Sequence, residues 1–284
     1  MLPNASCDQA EGLRRILAGN SARQLCFLSA VTAPQKNAVL LNLAAALVRA
    51  GSEVQVLDAS LSEQGVSSRA TPALQTTLWE VAQQSGTLQD AVREHEQGIR
   101  LARLAPQALS RLHSQANELD SLSRVLREMS PNANFWLIDA DIQADNPFVL
   151  PELSASEVVV LVANTPTSIK NAYTEMKEFQ GRFGRLQYHL LVLGASAAQA
   201  QMITRNMALT ASRYLDSRPL ALGHIPADGD WARAVQLGRA IVDAFPMAAA
   251  AIAFREVAAH LVSAGTQAPR QPVEPVHLTP ALEV

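Results

Sequence analysis

Four polar residues stand at places where a phosphate site could form. Lys36 and Asn37 lie between an apolar run typical of a strand and a long apolar stretch typical of a helix. Asp58 and Asp139 each lie at the end of another apolar run typical of a buried strand. A lysine between a strand and a helix can neutralise a phosphate, and a carboxylate at the end of a strand can hold Mg²⁺ through water. The four residues are therefore candidates for a degenerate nucleotide site.

The loop around Lys36 lacks the glycines of a phosphate-binding loop. Residues 29–37 read Ser-Ala-Val-Thr-Ala-Pro-Gln-Lys-Asn. Glycines permit the positive φ angles and the close backbone approach by which amide groups surround a phosphate. Pro34 also removes one amide donor. The loop therefore predicts weak nucleotide binding or none. The competing interpretation is an ordinary strand–turn–helix connection with a solvated Lys36.

The elements that must position these residues form an alternating pattern. Nearly continuous apolar strands separated by helical stretches are typical of a parallel sheet with helices on both faces. The sequence therefore predicts one doubly wound α/β domain, with a mostly parallel sheet, over residues 21–264. Its predicted strands are 25–30, 53–58, 99–104, 135–140, 158–163, 189–193 and 219–225, and its predicted helices are 37–50, 78–83, 88–94, 115–129, 168–183, 200–214, 231–237 and 248–264.

The composition favours a cytoplasmic protein. Among 284 residues, 48% are hydrophobic and 17% are charged, which is enough apolar surface for a sizeable core. The net charge of -3 gives no reason to expect direct nucleic-acid binding. Two cysteines fit a reducing compartment, and neither a signal peptide nor a metal-ligand spacing is visible. The proline-rich stretch 265–284 is expected to be a disordered tail.

Five segments resemble, in order, the motifs of the MinD/ParA-like P-loop ATPases, a group within the SIMIBI class of NTPases. The resemblance extends from about residue 25 to residue 264. It implies the P-loop fold, with ATP and Mg²⁺ as the cofactor. The matching segments are 31–37 for the deviant Walker A loop, 57–60 for switch I, 137–140 for Walker B, 164–173 for T-P-E-P-T-S-I-x-x-A-Y and 222–228 for L-G-x-I-P-x-D.

The resemblance gives each candidate residue a role and exposes what is missing. Lys36 falls on the loop lysine, and Asn37 replaces the hydroxyl residue that binds Mg²⁺. Asp58 matches the first switch I carboxylate, and Asp139 matches the Walker B carboxylate. Ser60 replaces the second switch I carboxylate, which positions the attacking water. The implied protein is an ATPase by family with degenerate catalytic residues, among which Asp58 is the remaining catalytic candidate.

Two further positions depart from the family pattern. Val31 stands where the family has a signature lysine, which reaches across an ATP-driven dimer to the partner's phosphates. Gly194 stands where the family has an Asn that reads adenine. The resemblance therefore implies a weak or lost ATP site and no dimerisation driven by ATP.

A separate pattern precedes the first predicted strand. Residues 1–20 contain Asp8 and Glu11 at the spacing of a capping box, followed by an apolar stripe that includes Leu13. Residues 8–17 resemble the D-Q-A-x-x-L-R helix of the FlhG (FleN) group of MinD-like regulators of flagellar number. In that group the helix docks on the signal-recognition-type GTPase FlhF and stimulates it. The resemblance implies a partner-binding helix that contains Asp8, Gln9, Leu13 and Arg14.

The leading interpretation is a regulator of flagellar number, placement and gene expression. Its implied partners are an FlhF-type GTPase and, as further options, flagellar switch proteins or a transcriptional activator. Because the tail lacks the basic amphipathic helix of MinD, membrane contact is expected only through partners, which would recruit the protein to the cell pole or inner membrane face. The alternatives are an active MinD/ParA-type ATPase and a positioning factor for another secretion or surface machine.

Overall fold

An eight-stranded sheet organises the part of the chain that the computed structural model describes, which is residues 22–60, 62–70, 73–95, 98–105, 116–129, 132–140, 157–184 and 186–265. The order across the sheet is β3-β4-β2-β5-β1-β6-β7-β8, and all neighbouring strands are parallel except β3 and β4. The strands are β1 (Arg23–Ser29), β2 (Val54–Asp58), β3 (Val92–His95), β4 (Ile99–Arg103), β5 (Phe135–Asp139), β6 (Glu157–Ala163), β7 (Tyr188–Leu193) and β8 (Leu220–Ile225).

Helices cover both faces of the sheet, so two apolar cores form. One core includes Leu43 and Phe254 from the first and last helices, and the other includes Met176 and Met207. This arrangement confirms the predicted doubly wound, mostly parallel α/β fold. The helices are α1 (Ala33–Arg49), α2 (Leu78–Ala82), α3 (Leu88–Ala91), α4 (Ala116–Met129), α5 (Pro166–Phe183), α6 (Ala197–Tyr214), α7 (Gly229–Gln236), α8 (Ile241–Ala244) and α9 (Ala249–Gly265), and a 3₁₀ helix spans Val66–Arg69.

The edge strand β3 corrects one prediction. The helix predicted over 88–94 stops at Ala91, and residues 92–95 pair antiparallel with β4. This strand holds a single strongly apolar residue, Val92, among charged or polar neighbours. Local sequence therefore gives no strand pattern, and hydrogen bonding to β4 decides the conformation.

The start of α1 corrects another prediction and matters for the site. The helix begins at Ala33 rather than at residue 37, with Thr32 as its N-cap. Gln35 Oε1 accepts hydrogen bonds from Thr32 N at 3.3 Å and from Thr32 Oγ1 at 3.1 Å. Pro34 lies in the first turn, where the missing amide hydrogen leaves no helical bond unmade. Lys36 and Asn37 are therefore helical residues with fixed directions, not loop residues.

The two terminal predictions fall outside this description. The predicted partner-binding helix of residues 1–20 and the predicted tail beyond residue 265 are outside the described residues. Among the helices that the structure describes, none is both long and apolar enough to cross a membrane.

Candidate functional site

The carboxyl ends of β1, β2 and β5 bring the predicted residues together. In the parallel register, Asp58 of β2 lies beside Asp139 of β5, and Phe27 of β1 lies on the other side of Asp139. The first two turns of α1 rise directly from this edge and carry Lys36 and Asn37. Parallel sheets bind ligands at this edge because strand ends and helix starts converge there.

Lys36 is turned into the protein. Its Nζ lies 2.5 Å from Asp139 Oδ1 and donates a hydrogen bond to Ala140 O at 2.6 Å. The residue is only 4% exposed, so the interpretation of a solvated lysine is wrong. A phosphate could take this ammonium group only by breaking a buried ion pair.

Backbone amides donate hydrogen bonds to the carboxylates of Asp58 and Asp139, and two of these amides belong to a segment that the sequence patterns did not indicate. Asp139 Oδ2 accepts a hydrogen bond from Val66 N at 2.8 Å. Asp58 Oδ1 accepts from Ser60 N at 3.0 Å, and Asp58 Oδ2 accepts from Ser67 N at 2.9 Å. Every oxygen of the carboxylate pair therefore has a partner within this chain.

Gly65 permits this close packing and is the signal in the sequence that could have revealed it. A Cβ atom at this position would lie 2.4 Å from Asp58 Oδ2. The helix α1 also contacts this part of the chain. Asn37 Nδ2 donates a hydrogen bond to Gln64 O at 2.8 Å and another to Gly65 O at 3.3 Å. We refer to residues 62–70 as the 62–70 segment.

A small cavity remains between α1 and the 62–70 segment. Its volume is about 170 Å³, below the roughly 300–1,000 Å³ typical of pockets for drug-sized ligands. It has room for a phosphate-sized group or several water molecules. It is lined by Ser29, Val31, Ala33, Lys36, Asn37, Ser60, Ser62, Gln64, Gly65 and Asp139.

Burial controls the protonation of the groups beneath the cavity. It raises the pKa of Asp58 from 3.8 to about 6, and the negative charge of Asp139 adds to the increase. Hydrogen bonds from Ser67 and Ser60 act in the opposite direction. Burial also raises the pKa of the Cys26 thiol, which stays protonated and cannot serve as a nucleophile.

The residues at this edge do not fit Mg–ATP in the arrangement described here. Lys36 is neutralised by Asp139, and both carboxylates accept hydrogen bonds from backbone amides. The loop that should surround a phosphate is instead the first turn of α1, with a proline in it. Among the described residues, no cluster of three or more histidine, cysteine or acidic side chains could hold a metal ion.

The segment 164–173 has a structural task at the same edge. Ser168 Oγ donates to Ala30 O at 2.8 Å and accepts from Ala163 N at 2.8 Å, so it joins the end of β1 to the end of β6. Thr165 caps α5 through a bond from Ser168 N. Gly194 follows β7 with a φ of +68°, a conformation that favours glycine.

Loss of the Lys36 charge should destabilise the fold. Lys36→Met leaves the buried Asp139 carboxylate without its counter-charge, and we expect the free energy of unfolding to fall by about 3–5 kcal/mol in urea titrations. Lys36→Met combined with Asp139→Asn should recover much of that loss, because an amide oxygen can still accept from Val66 N. The control is Lys170→Met at an exposed position. Equal stability of Lys36→Met and the wild type would contradict a buried ion pair.

Stability should also depend on the protonation of Asp58. Because its pKa is about 6 in the fold and 3.8 ordinarily, folding favours the protonated form. The stability from Asp58 is therefore complete below about pH 4 and is lost as pH rises through 6, by on the order of 3 kcal/mol. Urea unfolding between pH 4 and 8 should show a flatter profile for Asp58→Asn, whereas the exposed control Asp120→Asn should follow the wild type. Parallel profiles for Asp58→Asn and the wild type would refute this.

Comparison with known proteins supports both the fold and the resemblance. The antiactivator FleN of Pseudomonas aeruginosa is 28% identical over 224 residues, which are 78% of this chain and 80% of FleN. No family model matches the chain.

Solved structures of MinD and ParA proteins share the architecture. The Mg-ADP complex of MinD from Pyrococcus horikoshii gives a TM-score of 0.63 at 17% identity and covers 87% of this chain and 99% of MinD. A ParA-family ATPase from Chlorobium tepidum gives a TM-score of 0.62 at 16% identity and covers 85% and 99% of the two chains. The chain therefore has the α/β P-loop fold of the MinD and ParA ATPases, and its sequence resembles that of FleN over most of both proteins.

Proposed function

We propose that this chain is a regulator of the FlhG/FleN type, which controls flagellar number, placement and gene expression through protein contacts. The observation that carries the proposal is the similarity to the antiactivator FleN over 78% of this chain. A regulator of this kind can act by binding and needs no catalytic turnover of its own.

The second part of the proposal is that the ATP site is weak or lost. It is supported by the ion pair between Lys36 and Asp139, by the cavity of about 170 Å³ and by Ser60 in place of a switch I carboxylate. The rival proposal is an active MinD/ParA-type ATPase. It is supported by the structural similarity to a MinD protein that was solved with Mg-ADP. A positioning factor for another secretion or surface machine is less well supported, because the sequence similarity is to the antiactivator FleN.

The proposed partners follow from the N-terminal pattern. Residues 1–20 would bind an FlhF-type GTPase through Asp8, Gln9, Leu13 and Arg14, while residues 21–264 would form the MinD/ParA-like domain and residues 265–284 would be a tail. Flagellar switch proteins or a transcriptional activator would contact the domain itself. The protein would be cytoplasmic and reach the cell pole or inner membrane face through these partners.

Nucleotide should have little effect on the purified protein. Calorimetry with Mg-ATP is expected to show no binding at micromolar concentrations, and hydrolysis should be negligible, because Lys36 and both carboxylates already have partners. Elution in size-exclusion chromatography should be the same with and without ATP, since Val31 cannot reach a partner's phosphates. Micromolar affinity or an ATP-dependent dimer would favour the active ATPase.

The N-terminal segment should activate a partner GTPase independently of the ATP site. Gln9→Ala should lower the stimulated GTP hydrolysis of an FlhF-type GTPase with little loss of binding, because a glutamine can orient the attacking water. Leu13→Ala should weaken binding by about 1–3 kcal/mol, the value of a buried apolar anchor. The measurement uses the full chain and a peptide spanning Met1 to Gly19, with Asn4→Ala as the control. No stimulation by either would remove this partner from the proposal.

A further inference from the structure

The side chain of Asn37 clamps the 62–70 segment from the side of α1. Its Nδ2 donates to Gln64 O at 2.8 Å and to Gly65 O at 3.3 Å. Both partners are acceptors, so the nitrogen of the amide must face the segment. Asn37 is 3% exposed, and hydrogen bonds shielded from water in this way are electrostatically stronger than exposed ones.

The backbone of the same segment completes the attachment from the side of the sheet. Val66 N donates to Asp139 Oδ2 at 2.8 Å, and Ser67 N donates to Asp58 Oδ2 at 2.9 Å. Hydrogen bonds to a carboxylate group are stronger than those between neutral groups. Four hydrogen bonds, from one helix and two strands, thus hold the four residues from 64 to 67.

Gly65 allows the segment to approach Asp58 closely. A Cβ atom at position 65 would lie 2.4 Å from Asp58 Oδ2 and 2.5 Å from Asp58 Oδ1. The φ angle of Gly65 is -60°, which any residue adopts, so it is the lack of space that requires glycine here.

Apolar packing alone gives the segment little support. Two of its residues, Val66 and Ala70, are buried in the apolar core, but Ser62, Glu63, Gln64 and Arg69 are exposed. Segments with few buried apolar contacts open at low free-energy cost unless hydrogen bonds hold them. The contacts of Asn37 and of the carboxylates therefore decide where the segment lies.

We propose that the 62–70 segment is an autoinhibitory latch. Asn37 holds it where its backbone amides occupy the carboxylate oxygens of Asp58 and Asp139, and the latch keeps Mg–nucleotide out. The inference rests on the proposed function and deepens it, because it names what closes the site. By the resemblance, position 37 belongs to a hydroxyl residue in active relatives. A threonine or serine side chain is shorter than that of asparagine and has no second donor for two carbonyl oxygens.

The first test measures hydrogen exchange of the Val66 and Ser67 amides in the full chain. Asn37→Ala removes two hydrogen bonds, which together are worth at least a tenfold change in the opening equilibrium, so exchange should be about tenfold faster or more. The control is Asn134→Ala, which removes the bond from Glu53 N to Asn134 Oδ1 beyond the other end of the sheet. Unchanged exchange at Val66 and Ser67 in Asn37→Ala would overturn the latch.

A second variant tests the latch from the opposite side, and it also serves if Asn37→Ala does not fold. Gly65→Ala places a methyl group against the Asp58 carboxylate, so either the segment or the carboxylate must shift. Both shifts break the bond from Ser67 N to Asp58 Oδ2, and the Ser67 amide should exchange about tenfold faster. Gly181→Ala is the matched control, because its Cβ would meet no atom within 4 Å. Full protection of the Ser67 amide in Gly65→Ala would likewise overturn the latch.

Calorimetry with Mg-ADP separates the latch from the proposed function. Asn37→Thr should bind Mg-ADP at least tenfold more tightly than the wild type and show faster exchange at Val66 and Ser67. Faster exchange without a gain in affinity would overturn autoinhibition and leave the proposed weak site standing. Micromolar binding by the wild type with both amides still protected would overturn the latch and the weak site together.

Discussion

The buried ion pair between Lys36 and Asp139 is the interaction on which the rest of the site depends. Two charges removed from water are tolerated only when each faces its counter-charge and the remaining polar atoms are satisfied. Here Ala140 O accepts from the ammonium group, and Val66 N donates to the second carboxylate oxygen. The pair fixes the start of α1 over the end of β5, and through Val66 it also fixes the 62–70 segment.

The charge balance at this edge of the sheet explains why the site binds neutral backbone amides of its own chain better than it would bind a phosphate. The cluster holds one lysine, which pairs with Asp139, and two neighbouring carboxylates, Asp58 and Asp139, so it is already short of positive charge. Burial raises the pKa of Asp58 and the charge of Asp139 adds to the increase, so a second negative charge is costly here. A nucleotide would add several more negative charges where no glycine-rich loop supplies amide groups to meet them. The chain's own neutral amides, by contrast, stabilise the carboxylates without adding charge.

The sequence predicted the central strands well because strands covered on both faces are almost continuously apolar. All five residues of β5 are buried, and its pattern could not be mistaken for a loop. The helix α1 begins four residues before the predicted start, because proline is typical of a loop but the first helical turn also accepts it without losing a hydrogen bond. The strand β3 was missed because its conformation comes from pairing with β4 rather than from its own residues.

The sequence predicts the side chains of the site but not the backbone groups that bind them. The motifs single out Lys36, Asn37, Asp58 and Asp139, and the structure brings them to the edge where the ends of parallel strands converge. The partners of the two carboxylates were not predicted, since they are backbone amides, which every residue except proline carries. Gly65 marks the segment's close approach to Asp58 in the sequence, but it does not identify which amides close the site.

Motif residues at this edge keep structural tasks that need no nucleotide. Asp228, in the segment that resembles L-G-x-I-P-x-D, accepts from Asp230 N at 2.9 Å with one oxygen and from Ala250 N at 2.9 Å with the other. It thereby caps α7 and holds the first turn of α9. Ser168 joins the ends of β1 and β6 in the same way. Because these residues stabilise the fold by themselves, their presence identifies the architecture, and activity must be judged from Lys36, its partner Asp139 and the neighbouring Asp58.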